Sequence, residues 1–168
     1  MSLLLEAPAP PVAAWPPARY TLPLTVDHDS LFHHFERPLR SAWMATNHYD
    51  LEPWQRQLLH AVTELLADGH LRYSEVVISL GRQNGKTEIL GALGLLFMLA
   101  KRAPLVISIA SSAEQARLVY DRASKVANGY GPLRRRFRKL TETRGLATIT
   151  GGAWEIKAAK SASIHGQP

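Results

Sequence analysis

The sequence predicts an α/β fold in which helices flank a parallel sheet. Two continuous apolar runs rich in β-branched residues, 76–80 and 104–110, lack polar alternation, as expected for strands buried on both faces. Segments with helical periodicity lie before, between and after these runs. Strands that alternate with helices normally form right-handed parallel units, so the order α, β, α, β, α predicts one such sheet.

The chain is predicted to begin with an arm and to continue as one domain. The arm is residues 1–26: from Ala7 to Pro23 six prolines alternate with small and apolar residues, which favours extended backbone without ladder hydrogen bonds. Residues 27–168 are assigned to the domain. Its first part contains His33, His34 and His48 in no spacing typical of a metal site, so we assign residues 27–49 to packing and surface.

Helix signals follow in order. The first helix is predicted to begin at Pro53, where a missing N–H costs nothing, and to end near Gly69. Residues 86–100 are apolar nearly all round, which indicates a buried helix. A third helix is predicted from the candidate N-caps Ser111 and Ser112 to about residue 127.

Two short segments rich in strand formers, 147–150 and 153–157, close the pattern. They are separated by Gly151 and Gly152, a dipeptide that readily supplies the positive φ of a tight turn. The sequence therefore predicts an added β-hairpin beside the parallel sheet.

Composition limits the partners. Lys and Arg outnumber Asp and Glu by 20 to 14, and the net charge of +6 suits a polyanion such as DNA. The absence of cysteine excludes a disulfide framework and a thiolate metal site. The longest apolar run is too short for a bilayer of about 30 Å, and the first residues lack a secretory signal, so we predict a cytoplasmic protein with no membrane partner.

The segment GRQNGKT is the strongest chemical signal. It matches the second half of the phosphate-loop pattern GxxxxGK[ST], although Leu80 stands where the first glycine belongs. A predicted strand leads in and a predicted helix leads out, so backbone N–H groups are expected to point at phosphate oxygens. Lys86 is predicted to contact the β- and γ-phosphates, and the Thr87 hydroxyl to hold a magnesium ion. The implied cofactors are ATP and Mg²⁺, with the loop residues Gly81, Arg82, Gln83, Asn84, Gly85, Lys86 and Thr87 in the binding site.

Arg82 is an unusual member of such a loop. Its guanidinium is predicted to lie near the γ-phosphate and, together with Lys86, to act in catalysis by stabilising charge during transfer. The alternative is a surface arginine that pairs with a carboxylate.

At these residues the chain resembles the phage terminase large subunits, the ATPases that drive DNA into capsids. Their variant phosphate loop has the form RQxGK[ST], which RQNGKT matches at 82–87. LEPWQRQ, at 51–57, is similar to the family's adenine motif, which implies that Gln55, or failing it Gln57, contacts the base. ASSAEQA, at 110–116, is similar to a family segment for coupling, although we assign Gln115 to helix capping.

The resemblance implies a P-loop NTPase-type sheet and the N-terminal part of the ATPase domain, from about Leu51 to the end of the chain. Implied partners are double-stranded DNA, the small terminase subunit and the portal protein, in the host cytoplasm. A homo-oligomer, and action of Arg82 on its own or on a neighbour's nucleotide, stay open.

The family's next strand, the Walker B strand, ends in an Asp-Glu pair that activates water, and this dipeptide occurs nowhere here. We therefore expect an incomplete ATPase fold, truncated before that strand and without the nuclease domain. Such a chain is expected to bind ATP with little turnover, and whether it is itself an enzyme stays open.

The densest basic cluster is Arg134, Arg135, Arg136, Arg138 and Lys139. It is expected either to contact DNA phosphates or to be a solvated helix end after Pro132. Two other functions stay open. A P-loop helicase fragment is disfavoured by the glycine-poor loop, and a basic DNA-binding module would have a degenerate loop that holds no nucleotide.

Overall fold

The computed structural model describes residues 28–81, 83–101, 105–139, 146–149 and 151–159. The predicted arm and Arg82 lie outside these residues. The described helices are α1 (Leu31–Asn47), α2 (Pro53–Val62), α3 (Lys86–Leu99), α4 (Ala113–Gly129) and α5 (Gly131–Arg134). The described strands are β1 (Leu105–Ala110), β2 (Phe137–Lys139), β3 (Leu146–Thr148) and β4 (Ala153–Ala158).

The strands form one sheet in the order β1-β4-β3-β2, which confirms the α/β class. β1 and β4 are parallel, with Leu105 opposite Ala153, whereas β4 with β3 and β3 with β2 are antiparallel. The predicted hairpin is β3–β4: its turn contains Gly151 at a φ of 105°, and the Thr148 amide donates to the Gly152 carbonyl over 2.8 Å. The sheet thus combines one parallel pair with a hairpin and an added strand.

Helices α3 and α4 pack against the sheet through Trp154 of β4, which is 1% exposed. Its indole lies so close to Gly94 of α3 that no Cβ would fit there, and it meets Tyr120 of α4 edge to face at 6.1 Å. Its Nε1 donates to the Ser108 hydroxyl over 2.9 Å, which links β4 to β1. One tryptophan therefore joins both strands of the parallel pair to the helical layer.

The expectation that 104–110 is buried on both faces is wrong. Side chains of a strand alternate between faces, and Ser108 points toward Trp154 and the helices. Ile107 and Ile109 lie on the other face and are 39% and 52% exposed, because no element of the described chain covers that face.

The expectation of a buried strand at 76–80 is also wrong. These residues have no regular secondary structure, and Val77 is 95% exposed. A strand needs a neighbour to satisfy its backbone N–H and C=O groups, and no strand in the described ranges pairs with this segment.

Helix α1 was not predicted. Ser30 caps it by accepting a hydrogen bond from the His33 amide over 3.1 Å, and Phe32, Leu39 and Trp43 are fully buried. Pro38 lies inside the helix and obscured the helical pattern in the sequence.

Helix α2 ends at Val62 and not near Gly69. The Thr63 hydroxyl donates to the Leu59 carbonyl over 2.7 Å, and Glu64 and Leu65 then form isolated bridges with Ser30 and Leu71. These bridges take the backbone groups that would have continued the helix.

Helices α3 and α4 lie close to where the sequence predicts them. Ser112 is the N-cap of α4, since its hydroxyl accepts from the Gln115 amide over 3.2 Å. Within the described ranges, no helix is long and apolar enough to cross a bilayer.

Candidate functional site

The described part of the predicted phosphate loop turns at residues 83–85 and is not extended there. Gln83 and Gly85 both have left-handed backbone, with φ of 63° and 67°, and the chain turns at residues 83–85 directly into α3. Left-handed backbone is strained for a residue with a side chain, so Gln83 marks a constrained turn. The side-chain nitrogen Nδ2 of Asn84 lies 3.1 Å from where a Cβ on Gly81 would stand. The side chain of Asn84 therefore reaches back to the start of the loop.

The N-terminus of α3 lacks the side-chain cap that α1 and α4 possess. Gly85 is its N-cap residue and offers no side chain, and its carbonyl accepts from the Glu88 and Ile89 amides over 3.0 and 3.2 Å. The preceding amides of the first helical turn have no partner within the helix. Such amides, with the positive end of the helix dipole, favour an anion.

Lys86 and Thr87 begin α3. The exposed Lys86 side chain crosses the loop, and its Nζ donates to the carbonyl of Leu80 over 2.8 Å. Thr87 is half-buried beside it. The ammonium group therefore already lies between the two ends of the loop, held by one neutral acceptor.

Gln55, from the first turn of α2, contacts this loop. Its side chain is 5% exposed, and its Nε2 lies so close to Gly85 that any Cβ at that position would collide with it. Its Oε1 accepts from the Glu52 amide over 2.8 Å, which caps α2. Gln57 is exposed. Of the two candidate glutamines, Gln55 is the one that the fold brings to the loop.

Sequence reasoning missed a buried acid next to Thr87. Glu88 is 9% exposed, and its carboxylate accepts from Trp43 Nε1 over 2.7 Å and from the Tyr49 hydroxyl over 3.1 Å. Arg122 Nε lies 2.8 Å from the same carboxylate. Burial, followed by the charge of Glu88, raises the pKa of Tyr49. We call Trp43, Tyr49, Glu88 and Arg122 the Glu88 cluster; its one sequence signal was an acid at the start of an otherwise apolar helix.

The basic residues after α4 run from the end of α5 through a turn at 135–136 into β2, and we call this exposed segment the basic turn. Leu133 and Phe137 are 3% and 6% exposed and fix the turn to the core, while the arginines between and beside them point outward. No carboxylate of the described chain lies within ion-pair distance of these exposed side chains, namely Arg134, Arg135, Arg136 and Arg138. Lys139 ends β2, and its side chain lies outside the described part.

Among the residues that the structure describes, no three acidic or histidine side chains are placed to hold a metal ion. The carboxylate nearest in sequence to Thr87 is Glu88, whose oxygens already accept from three donors. A magnesium ion at Thr87 would therefore depend on phosphate oxygens and water for its other ligands, as such ions often do.

The chain matches no protein-family model and no curated protein. It is similar to a solved structure, the crystal structure of the HK97 bacteriophage large terminase, with a TM-score of 0.58 and 24% sequence identity. The chain has a terminase-like fold. The match covers 70% of this chain and 25% of the HK97 protein, so the chain spans about a quarter of that protein's length.

Proposed function

We propose that this chain is the nucleotide-binding segment of a terminase large subunit, a viral motor that couples ATP hydrolysis to DNA translocation into the capsid. The observation that carries the proposal is the turn at 83–85, which leads into an N-terminus of α3 that no side chain caps, with Gln55 packed against Gly85. The chain that contains this turn has a terminase-like fold, judged by its structural similarity to the HK97 large terminase.

The loop residues have distinct roles in this proposal. The amides of the α3 N-terminus that have no partner within the helix hold phosphate, and the Lys86 ammonium exchanges the Leu80 carbonyl for phosphate oxygens. The Thr87 hydroxyl holds Mg²⁺, which when bound neutralises phosphate charge. Gln55 donates to the base through Nε2, while its Oε1 accepts from the backbone amide of Glu52.

A nucleotide titration tests this site. Lys86→Gln and Lys101→Gln remove the same charge from the two ends of α3, and both lysines are exposed. Hydrogen bonds to charged groups are worth about 1.5–3 kcal/mol, so Lys86→Gln should raise the Kd for fluorescent Mg-ATP by at least about tenfold. Lys101→Gln should leave the Kd within about twofold of the parent, as expected for a surface change. Equal effects of the two variants, or no binding by the parent chain, would refute the proposal.

We further propose that this chain binds ATP without efficient turnover. Phosphoryl transfer needs a group that orients the attacking water, and the chain has no Asp-Glu dipeptide to supply it. An assay of phosphate release should therefore show no turnover that depends on Lys86. Hydrolysis that Lys86→Gln abolishes would contradict this part while supporting the binding site.

The proposal also assigns DNA to the exposed basic turn, because its arginines meet no carboxylate in the described chain. Each lost phosphate contact should lower the slope of log K against log salt by about 0.9 for duplex DNA. Arg135→Gln/Arg138→Gln should reduce that slope, whereas Arg37→Gln/Lys101→Gln, exposed elsewhere, should not. A slope that is unchanged in the first pair, or reduced equally in both, would remove the turn from the DNA site.

A further inference from the structure

The Glu88 cluster joins the start of α3 to two other parts of the fold. Trp43 lies on α1, Tyr49 follows α1, and Arg122 lies on α4, and all three direct a donor at the carboxylate of Glu88. The backbone amide of Glu88 donates to Gly85 of the loop over 3.0 Å. One residue is therefore bonded to the loop by its main chain and to α1 and α4 by its side chain.

We infer that Glu88 is a positioning residue for the nucleotide loop: it fixes the first turn of α3, and with it Lys86 and Thr87, against α1 and α4. The part of this inference that concerns nucleotide rests on the proposed function. The part that concerns the loop backbone does not.

The chemistry of the donors explains why an acid is required. A tryptophan N–H and an arginine N–H donate but cannot accept, so each needs an acceptor when buried. A carboxylate accepts from both and from Tyr49 as well. A glutamine of the same shape would turn an NH₂ group toward one of these donors, and a buried donor without an acceptor is costly.

The charges explain why the cluster includes an arginine. Glu88 lies in the first turn of α3, the turn that is proposed to hold phosphate. A carboxylate there without a compensating positive charge would repel an anion. The Arg122 guanidinium, 2.8 Å away, neutralises that carboxylate. Arg122 is thus expected to aid anion binding without touching the anion.

The test compares Glu88→Gln with Glu114→Gln, which removes an exposed acid from the first turn of α4. Hydrogen exchange is measured at residues 85–89, and the Kd is measured for fluorescent Mg-ATP. Glu88→Gln should speed exchange at 85–89 more than in α4 or β1 and raise the Kd by about tenfold, the effect of one lost charged hydrogen bond. Glu114→Gln should change neither.

A charge-dependent readout separates positioning from general loss of stability. Arg122→Gln leaves the carboxylate uncompensated, so it should weaken ATP binding more than ADP binding. Glu88→Gln/Arg122→Gln removes both charges, so the ratio of its ATP affinity to its ADP affinity should return toward that of the parent, while both affinities stay lower because the positioning contacts are lost. Equal losses for ATP and ADP in Arg122→Gln, or no recovery of this ratio in the double variant, would overturn the electrostatic part of the inference.

The two proposals fail in different ways. If Lys86→Gln weakens nucleotide binding but Glu88→Gln changes neither the Kd nor exchange at 85–89, the positioning inference is overturned and the nucleotide site stands. If the parent chain binds no nucleotide, the proposed function fails, and exchange at 85–89 still decides whether Glu88 fixes the loop. Should Glu88→Gln not fold, Arg122→Gln, whose side chain is 31% exposed, removes one of the three donors to the carboxylate, and exchange at 85–89 should again speed up more than in β1.

Discussion

Two segments of this chain have nearly the same sequence and different structures. Val-Ile-Ser-Leu at 77–80 leads into the proposed nucleotide loop without forming a strand, whereas Val-Ile-Ser-Ile at 106–109 lies within β1. Val77 is 95% exposed, and its counterpart Val106 is half-buried against the core. Local sequence therefore does not decide which of the two becomes a strand.

The difference lies in the neighbours. β1 pairs with β4 from Leu105 opposite Ala153 to Ala110 opposite Ala158, and Ser108 also accepts from Trp154. The segment at 76–80 has no strand beside it in the described chain. β-propensity expresses how well a residue fits a pleated, half-covered surface, so the same residues stay irregular where no such surface exists.

Removing the anchor of β1 should have the largest effect. Trp154→Ala deletes the indole that packs on Gly94 and Tyr120, and loss of a buried tryptophan costs about 3–5 kcal/mol of unfolding free energy. Hydrogen exchange at 105–110 should then approach the rate at 76–80. Urea unfolding with Trp54→Ala, a half-buried tryptophan on α2, is the control, and an equal cost for both would contradict the anchoring role.

A matched pair of serines should give an intermediate effect. Ser108→Ala leaves the buried Trp154 N–H without its acceptor, which costs about 1–3 kcal/mol. Ser79→Ala changes the equivalent serine in the exposed segment and should stay within about 0.5 kcal/mol of the parent. The comparison fails if urea unfolding gives the two variants the same midpoint.

These segments also show how far the sequence could predict the fold. The runs at 104–110 and 86–100 and the turn at Gly151 were informative because each element found the partner that its pattern implies. The same logic failed at 76–80 because a pattern cannot show whether a neighbouring strand is present. α1 was missed because Pro38 interrupts its pattern, although Phe32 before it and Trp43 after it are fully buried.

The candidate site was likewise predictable from the sequence only where a local motif carried it. GKT followed by an apolar helix located the loop, and the motif at 51–57 led to Gln55, which the fold brings against Gly85. Glu88 was overlooked because its three donors come from residues 34 to 45 positions away in sequence, as Trp43 and Arg122 illustrate. The arrangement of distant donors around one acid is a property of packing that no local motif records.

Lowering the pH should have the smallest effect on the free energy of unfolding. It should act at the contact between α1 and α2, the helices that precede residues 76–80. His60 Nδ1 lies 2.8 Å from the Ser30 hydroxyl and its Nε2 lies 3.4 Å from Glu36, at the contact between α1 and α2. Burial lowers the pKa of His60 below its ordinary value of 6.5, against the opposing charge of Glu36. The unfolded chain therefore takes up this proton at a higher pH than the folded chain does, so the stabilisation is complete above about pH 6.5 and decreases as the pH falls.

His60→Gln should remove this part of the pH dependence, and unfolding measured from pH 7.5 to 5.5 tests it as the difference between parent and variant. Hydrogen exchange should speed up where Ser30 bridges Glu64, while β1, which His60 does not contact, should keep its protection. A parent that gains stability on acidification relative to His60→Gln would show that the charged imidazole is favoured in the folded chain. The contact between α1 and α2 would then be stabilised by acid, which is the opposite of what the burial of His60 predicts.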